Sequence, residues 1–304
     1  MVQCGVDPQF AVAGGVPVTV SWRAMQKRSA IRRSGSRAYR NAQRALQARV
    51  LGPLTAHRRP GAVAMFHIGR CGSTVLSDLL DQHPKISWDG EPYNRVAIGM
   101  DQDGIEPRTS GFDPAAHVHG RFNRVGWRWY LYTLKFNQVT QFSWDMARYL
   151  DEIEHYGVNR LIVLGRSNLL HKVVSGLMAR ESGRFQTSDP GAVQRQAVRI
   201  DVEAVEMEGE THSLVGQFDR WTREYEEFDR LIGDRPVLRL NYESDLLADP
   251  VVAYEKVLDH LSLEPYRVDV RLQKLNPFAL GEVIENLPDV QEALRDTPHS
   301  WMLD

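Results

Sequence analysis

Apolar positions along this chain fall into two periods that alternate with each other. Residues 62–68, AVAMFHI, form a short unbroken apolar run, the pattern of a strand buried on both faces. The turn Gly69-Arg70-Cys71-Gly72 follows. Ser73 to Gln82 then carries Val75, Leu76, Leu79 and Leu80 at helical spacing, and Pro84 ends the helix. Residues 127–136, WRWYLYTLKF, are rich in aromatics and predict a second strand. Ser143 to Tyr156 predicts a helix closed by Gly157. RLIVL at 160–164 predicts a third strand, with a helix over Asn168 to Glu181 behind it. Thr211 to Ile232 predicts a longer helix, PVLRLN at 236–241 a fourth strand, and Asp249-Pro250 the start of a helix reaching about Leu261. Strands alternating with helices predict an α/β fold with a mostly parallel central sheet flanked by helices.

Composition changes this picture little. The 304 residues are 42% hydrophobic and 25% charged, which excludes a disordered chain. Cys4 and Cys71 form no C-x-x-C pair, so neither a structural zinc nor any other metal is expected. No apolar run is long enough for a membrane span, and a cytoplasmic, reduced protein is expected.

Charge changes it more. Residues 1–60 hold 11 Lys and Arg against one acid, Asp7, whereas residues 61–304 hold 26 bases and 38 acids. A basic arm over 1–60 therefore precedes an acidic domain over 61–304. The basic residues follow the weakly apolar stretch 10–20, the reverse of a secretory signal. Tyr39, Ala42, Leu46 and Val50 recur at helical spacing, so Arg37 to Leu51 predicts an amphipathic basic helix. Three roles stay open for the arm: a helix packed on the acidic domain, an organelle transit segment, or a peripheral contact with anionic lipid or another polyanion.

Candidate chemistry begins at FHIGRCGST. A glycine turn running from a strand into a helix presents free backbone N–H groups and the positive end of the helix dipole, which suits an anion. Gly69 and Gly72 permit close approach, Arg70 adds charge, Cys71 sits within the turn, and Ser73 and Thr74 add hydroxyl donors. A nucleoside-triphosphate loop, G-x-x-x-x-G-K-[ST], carries a Lys where Ser73 stands. A phosphate-type ligand held without metal is therefore favoured. Cys71, beside Arg70 and a helix N-terminus, is expected to have a lowered thiol pKa. GRSNLLHKVVS repeats the logic: Arg166 follows a strand, and Ser175 lies nine residues on, in the next helix. Two separated anion sites suit a nucleotide with phosphates at both ends of its ribose.

These residues resemble the sulfotransferases that use 3′-phosphoadenosine-5′-phosphosulfate (PAPS) and release the bisphosphate PAP. FHIGRCGSTVLSDLLDQHP is similar to that family's 5′-phosphosulfate loop, GRSNLLHKVVS to its 3′-phosphate motif, and LNYESDLLADP to its Tyr-Glu-x-x-Leu segment. The tail from Lys274 resembles the end of bacterial Stf0-like, carbohydrate-type members. The Lys-Thr-His segment of cytosolic members is absent, and the Arg-to-Ser spacing is nine rather than their eight. The resemblance implies a P-loop-like fold and metal-free transfer of a sulfuryl group to a hydroxyl or amine. It implies Glu91 of WDGEPYN as the base, with Asp89 as fallback, and Lys135 as a charge stabiliser. It further implies that Arg70 binds the 5′-phosphosulfate, with Arg166, Ser175 and Lys274 at the 3′-phosphate. His67 is expected to be a structural strand residue.

Acceptor recognition is expected within residues 92–126 and 182–212, with Trp88, Tyr93, His117, His119, Arg121 and Trp127 as candidates. The expected partner is a carbohydrate, lipid or small-molecule acceptor, and no nucleic acid. Two other classes remain: a metal-dependent P-loop phosphotransferase, and a non-catalytic anion- or lipid-binding protein.

Overall fold

The computed structural model describes residues 55, 58–94, 112–183, 189, 195–272, 274 and 276–303. The basic helix expected over 37–51 lies outside them. Just before Ala62, Arg59 donates from Nε to the Gly126 carbonyl at 2.9 Å and lies 4.1 Å over the Phe122 ring.

Five parallel strands form the central sheet: β1 (Ala62–His67), β2 (Ile86–Trp88), β3 (Trp129–Lys135), β4 (Val158–Gly165) and, last in the chain, Val237–Asn241. A hairpin of β5 (Val205–Met207) and β6 (Glu210–His212) comes before that last strand, which is therefore β7. The order across the sheet is β2-β3-β1-β4-β7. All six residues of β1 are buried, as a central parallel strand covered on both faces requires. In register, His67 lies opposite Lys135 on one side and Leu164 on the other. All five strands point one way, so their carboxyl ends share one edge. The direction of strand addition reverses beside β1, where α/β sheets open a crevice.

Nine α-helices flank the sheet and follow it among the described residues: α1 (Ser73–Leu80), α2 (Pro114–Phe122), α3 (Phe136–Gln141), α4 (Met146–His155), α5 (Leu169–Ser182), α6 (Leu214–Ile232), α7 (Pro250–His260), α8 (Leu280–Val283) and α9 (Leu287–Leu294). No helix of the described residues is long and apolar enough to cross a membrane. Caps set several starts. Asp145 accepts from Arg148 N at 2.8 Å, so α4 begins at Met146 rather than Ser143.

The expected helix from Thr211 is corrected in the same way. Ser213 caps α6, and Glu210–His212 pairs instead with β5. The hairpin's turn residues, Glu208 and Gly209, have φ of 61° and 85°, the left-handed pair of a tight turn. Strand β2 and helix α2 have no counterpart among the elements that the apolar pattern predicts.

Candidate functional site

A cleft of about 790 Å³ runs along the carboxyl ends of the strands, within the size range of small-molecule sites. Gly69, Arg70, Gly72, Ser73 and Thr74 line it. So do Glu91 and Lys135 toward the β2–β3 side, and Arg166, Ser175 and Lys274 toward the β4–β7 side. Sequence-predicted residues from six separate segments thus meet in one place.

The turn after β1 is left-handed at Gly69 (φ 79°), Arg70 (56°) and Gly72 (83°). A Cβ on Gly72 would lie 2.8 Å from the Tyr242 ring and 3.0 Å from Leu246, so glycine is needed for space as well as for φ. Gly72 caps α1 with no side-chain hydrogen bond. Arg70 is not glycine, and its left-handed backbone costs about 1–2 kcal/mol. Arg166 holds it by donating from a terminal nitrogen to the Arg70 carbonyl at 2.8 Å. The Arg70 guanidinium in turn donates to Ser175 Oγ at 3.0 and 2.9 Å.

Arg166 and Ser175 therefore meet through Arg70 rather than directly. Arg166 also pairs with Glu243 at 3.5 Å and lies 4.5 Å over the Tyr242 ring. Both partners come from the π-helical turn Tyr242–Leu246 after β7. Glu243 accepts from Ser167 N at 2.8 Å and Asn168 N at 3.3 Å, fixing the β4–α5 turn as well.

Positive charge accumulates at this end. Burial lowers the pKa of Arg70, and Arg166 lowers it further. Burial and then Arg166 do the same to Lys274. His171 is pushed down to about 4 by burial, Arg166 and Lys274. Burial is the first cause in each of these three groups, and the Arg166 charge adds to it.

Cys71 departs from expectation. It is wholly buried, its Sγ contacts the Gly69 carbonyl at 3.1 Å, and it does not line the cleft. Burial pushes its thiol up to about 11, the opposite of the expected activation.

At the other end, Glu91 faces the cleft with 29% of its side chain exposed, and its Oε2 lies 4.0 Å from Lys135 Nζ. Two residues the sequence reading missed complete a circuit. Asn94 donates its amide to Glu91 Oε2, and buried Gln138 donates to Asn94 Oδ1 at 2.8 Å. Gln138 Oε1 then accepts from the Lys135 backbone N–H at 2.9 Å. The sequence trace of this circuit is Gln138 standing three residues after Lys135, at the start of α3.

The fallback base is corrected. Asp89 is taken up by the Arg121 guanidinium, which bonds both its oxygens, and by the Tyr130 hydroxyl at 2.6 Å.

The acceptor candidates lie apart from the cleft lining. Tyr93 is fully buried, bonding Pro114 O at 2.9 Å and the Tyr149 hydroxyl at 2.7 Å, and His119 stacks on Tyr156. None of the six lines the cleft; much of 92–126 and 182–212 lies outside the described residues.

The hairpin brings a residue that went unread. Glu208 Oε1 accepts from Lys172 at 2.9 Å, and its Oε2 accepts from Arg220 at 2.9 Å and Trp221 Nε1 at 3.1 Å. Burial works to raise the carboxyl's pKa, but Lys172 and the other donors hold it below the ordinary range. Lys172, with no exposed surface, lies 3.5 Å over the Trp221 ring. Glu224, bonded to Arg220 at 2.8 Å, is pushed up to about 7 by burial. Glu208 and Lys172 both line the cleft.

His67 is buried, 1% exposed, and accepts from the Gly69 N–H at Nδ1, 2.8 Å away. It lies in strand β1 and is one of the residues that line the cleft.

No protein-family model and no curated protein matches this chain. Among solved structures it is similar to a sulfotransferase from Alicyclobacillus acidocaldarius, with 14% identity and a TM-score of 0.45. The match covers 81% of this chain and 94% of that one. A likeness at that distance says nothing of what this chain acts on.

Proposed function

We propose that this protein is a PAPS-dependent sulfotransferase that transfers a sulfuryl group to a hydroxyl or amine of a carbohydrate, lipid or small-molecule acceptor. One observation carries the reading. The glycine turn, the cations Arg70, Arg166 and Lys274, and the Glu91–Lys135 pair all line a single cleft. The first two suit a doubly phosphorylated nucleotide, and the third suits chemistry at its far end.

In this reading the 5′-phosphosulfate lies against Gly69–Thr74 and the 3′-phosphate toward Arg166 and Lys274. The acceptor oxygen or nitrogen attacks sulfur in line, a new bond to sulfur forms, and the bridging S–O bond breaks to release PAP. Glu91 takes the acceptor's proton. Lys135 and Arg70 stabilise the charge that develops on the sulfuryl and bridging oxygens. Asn94 holds the Glu91 carboxylate toward Lys135. The Stf0-like, carbohydrate-type branch is the proposed subtype, on the resemblance of the tail.

Calorimetric titration with PAP tests the reading, with ATP plus magnesium as the comparison. Tight PAP binding, weakened about tenfold to a hundredfold in Arg166→Ala, is expected from the loss of one charge-assisted contact. Preference for ATP with magnesium would replace this reading with the phosphotransferase one.

A further inference from the structure

His67 has one nitrogen engaged and one idle. Nδ1 accepts the Gly69 N–H, so a neutral ring must carry its proton on Nε2. Burial keeps the ring neutral, with Lys135 and Lys172 working the same way and Glu208 against them; its pKa is pushed down to about 3. Nε2 is buried and has no hydrogen-bond partner. An N–H left so is costly unless something accepts it.

The charged neighbours do not supply an acceptor. Lys135, opposite His67 in the sheet register, and Lys172 are donors only. Glu208 has both oxygens engaged, one by Lys172 and the other by Arg220 and Trp221. His67 is among the residues that line the cleft, together with Gly69 and Lys135.

We propose that His67 is a further ligand-contacting residue: its Nε2–H donates a hydrogen bond to an oxygen of the anionic phosphate- or sulfate-ester group that binds against the Gly69–Gly72 turn. The proposal rests on the donor site described above. One imidazole then serves two partners, bracing the turn through Nδ1 and meeting its occupant through Nε2. A neutral donor suits this place, since a third full positive charge beside Lys135 and Lys172 would itself be disfavoured.

The first test is NMR of protein labelled with 13C and 15N, with the His67 ring assigned by through-bond correlation to its own backbone. Between pH 5 and 8 the free protein should show His67 protonated on Nε2 alone. Saturation with PAP should shift the Nε2 nitrogen and its proton. A ring protonated on Nδ1, a ring titrating near 6.5, or an Nε2–H unmoved by bound PAP would overturn the proposal. If PAP does not bind at all, the donor reading fails by itself. Inorganic phosphate then decides for His67, the same shift sustaining it and no shift ending it.

Two variants separate ligand contact from bracing. Asn places its oxygen near the Nδ1 position and has nothing at Nε2; Gln places an amide nitrogen near Nε2. His67→Asn should bind PAP about tenfold to a hundredfold more weakly, and His67→Gln should restore most of the loss. The reverse order would mark a turn brace only and overturn the proposal. Thermal melts establish that each variant folds; if neither does, the labelled wild-type spectra decide.

Discussion

At the ends of β1, β4 and β7 the cleft is held by backbone. Gly72 is fixed by φ and by the Tyr242 ring, the Arg70 carbonyl is tied to Arg166, and Glu243 binds two N–H groups of the β4–α5 turn. At the ends of β2 and β3 it is held largely by side chains. Glu91, Asn94, Gln138 and Lys135 hold one another in a circuit, and Glu208 fixes the hairpin through Lys172 and Arg220. Under the proposed function the first half is the cradle for an anion. The second positions titratable groups, and its geometry depends on residues far apart in sequence.

The sharpest way to break this contrast is Glu91→Gln. Turnover with PAPS should fall about a hundredfold to ten-thousandfold, while PAP affinity measured by calorimetry stays unchanged. Loss of PAP affinity instead would assign Glu91 to the anion cradle and remove it as the base.

Next in size is Glu208→Gln, which leaves Lys172 and Arg220 without their shared carboxylate. Urea unfolding should show a loss of about 3 kcal/mol, as for other broken buried pairs. A loss below about 1 kcal/mol would mean that the hairpin is anchored by packing rather than by charge.

Gly72→Ala probes the backbone-held half. Strained φ and the clash with Tyr242 together should cost about 2–3 kcal/mol. Gly69→Ala, whose Cβ would meet nothing closer than 3.5 Å, should cost about half of that. Equal losses would show that space is not what selects glycine at position 72.

The smallest effect concerns pH. Glu224 rises from the ordinary 4.5 to about 7 in the fold. Between those values the folded chain keeps a proton that the unfolded chain has released. This group's contribution to stability therefore falls as pH rises from about 4.5 to about 7. Glu224→Gln should flatten that part of the profile, read from urea midpoints at pH 5 and 8. An unchanged profile would mean that Arg220 keeps Glu224 ionised throughout.

The same contrast explains what could be read from the sequence. The apolar run of β1, the glycine turn and the helix after it are local, and so Gly69, Arg70, Gly72 and Arg166 were legible. Cys71 was misread because its direction depends on the left-handed backbone at Gly69 and Arg70, which no residue pattern announces for an arginine. Glu208 stayed hidden because Glu-Gly is an uncommon tight-turn pair and its partners lie on two different helices. Asp89 and Glu91 stand two residues apart, and what distinguishes them is mostly distant in sequence: Arg121 and Tyr130 on Asp89, Lys135 on Glu91.

The central place of β1 has a consequence for synthesis. The ribosome delivers Ala62–His67 well before β3, which begins at Trp129, and β4, which begins at Val158. At roughly 5–20 residues per second, an apolar strand waits on the order of ten seconds with both edges unpaired. Such a segment invites pairing with another nascent chain. Expression yield in cells, more than the chemistry of the cleft, should therefore be sensitive to translation speed and to chaperones that cover residues 62–67.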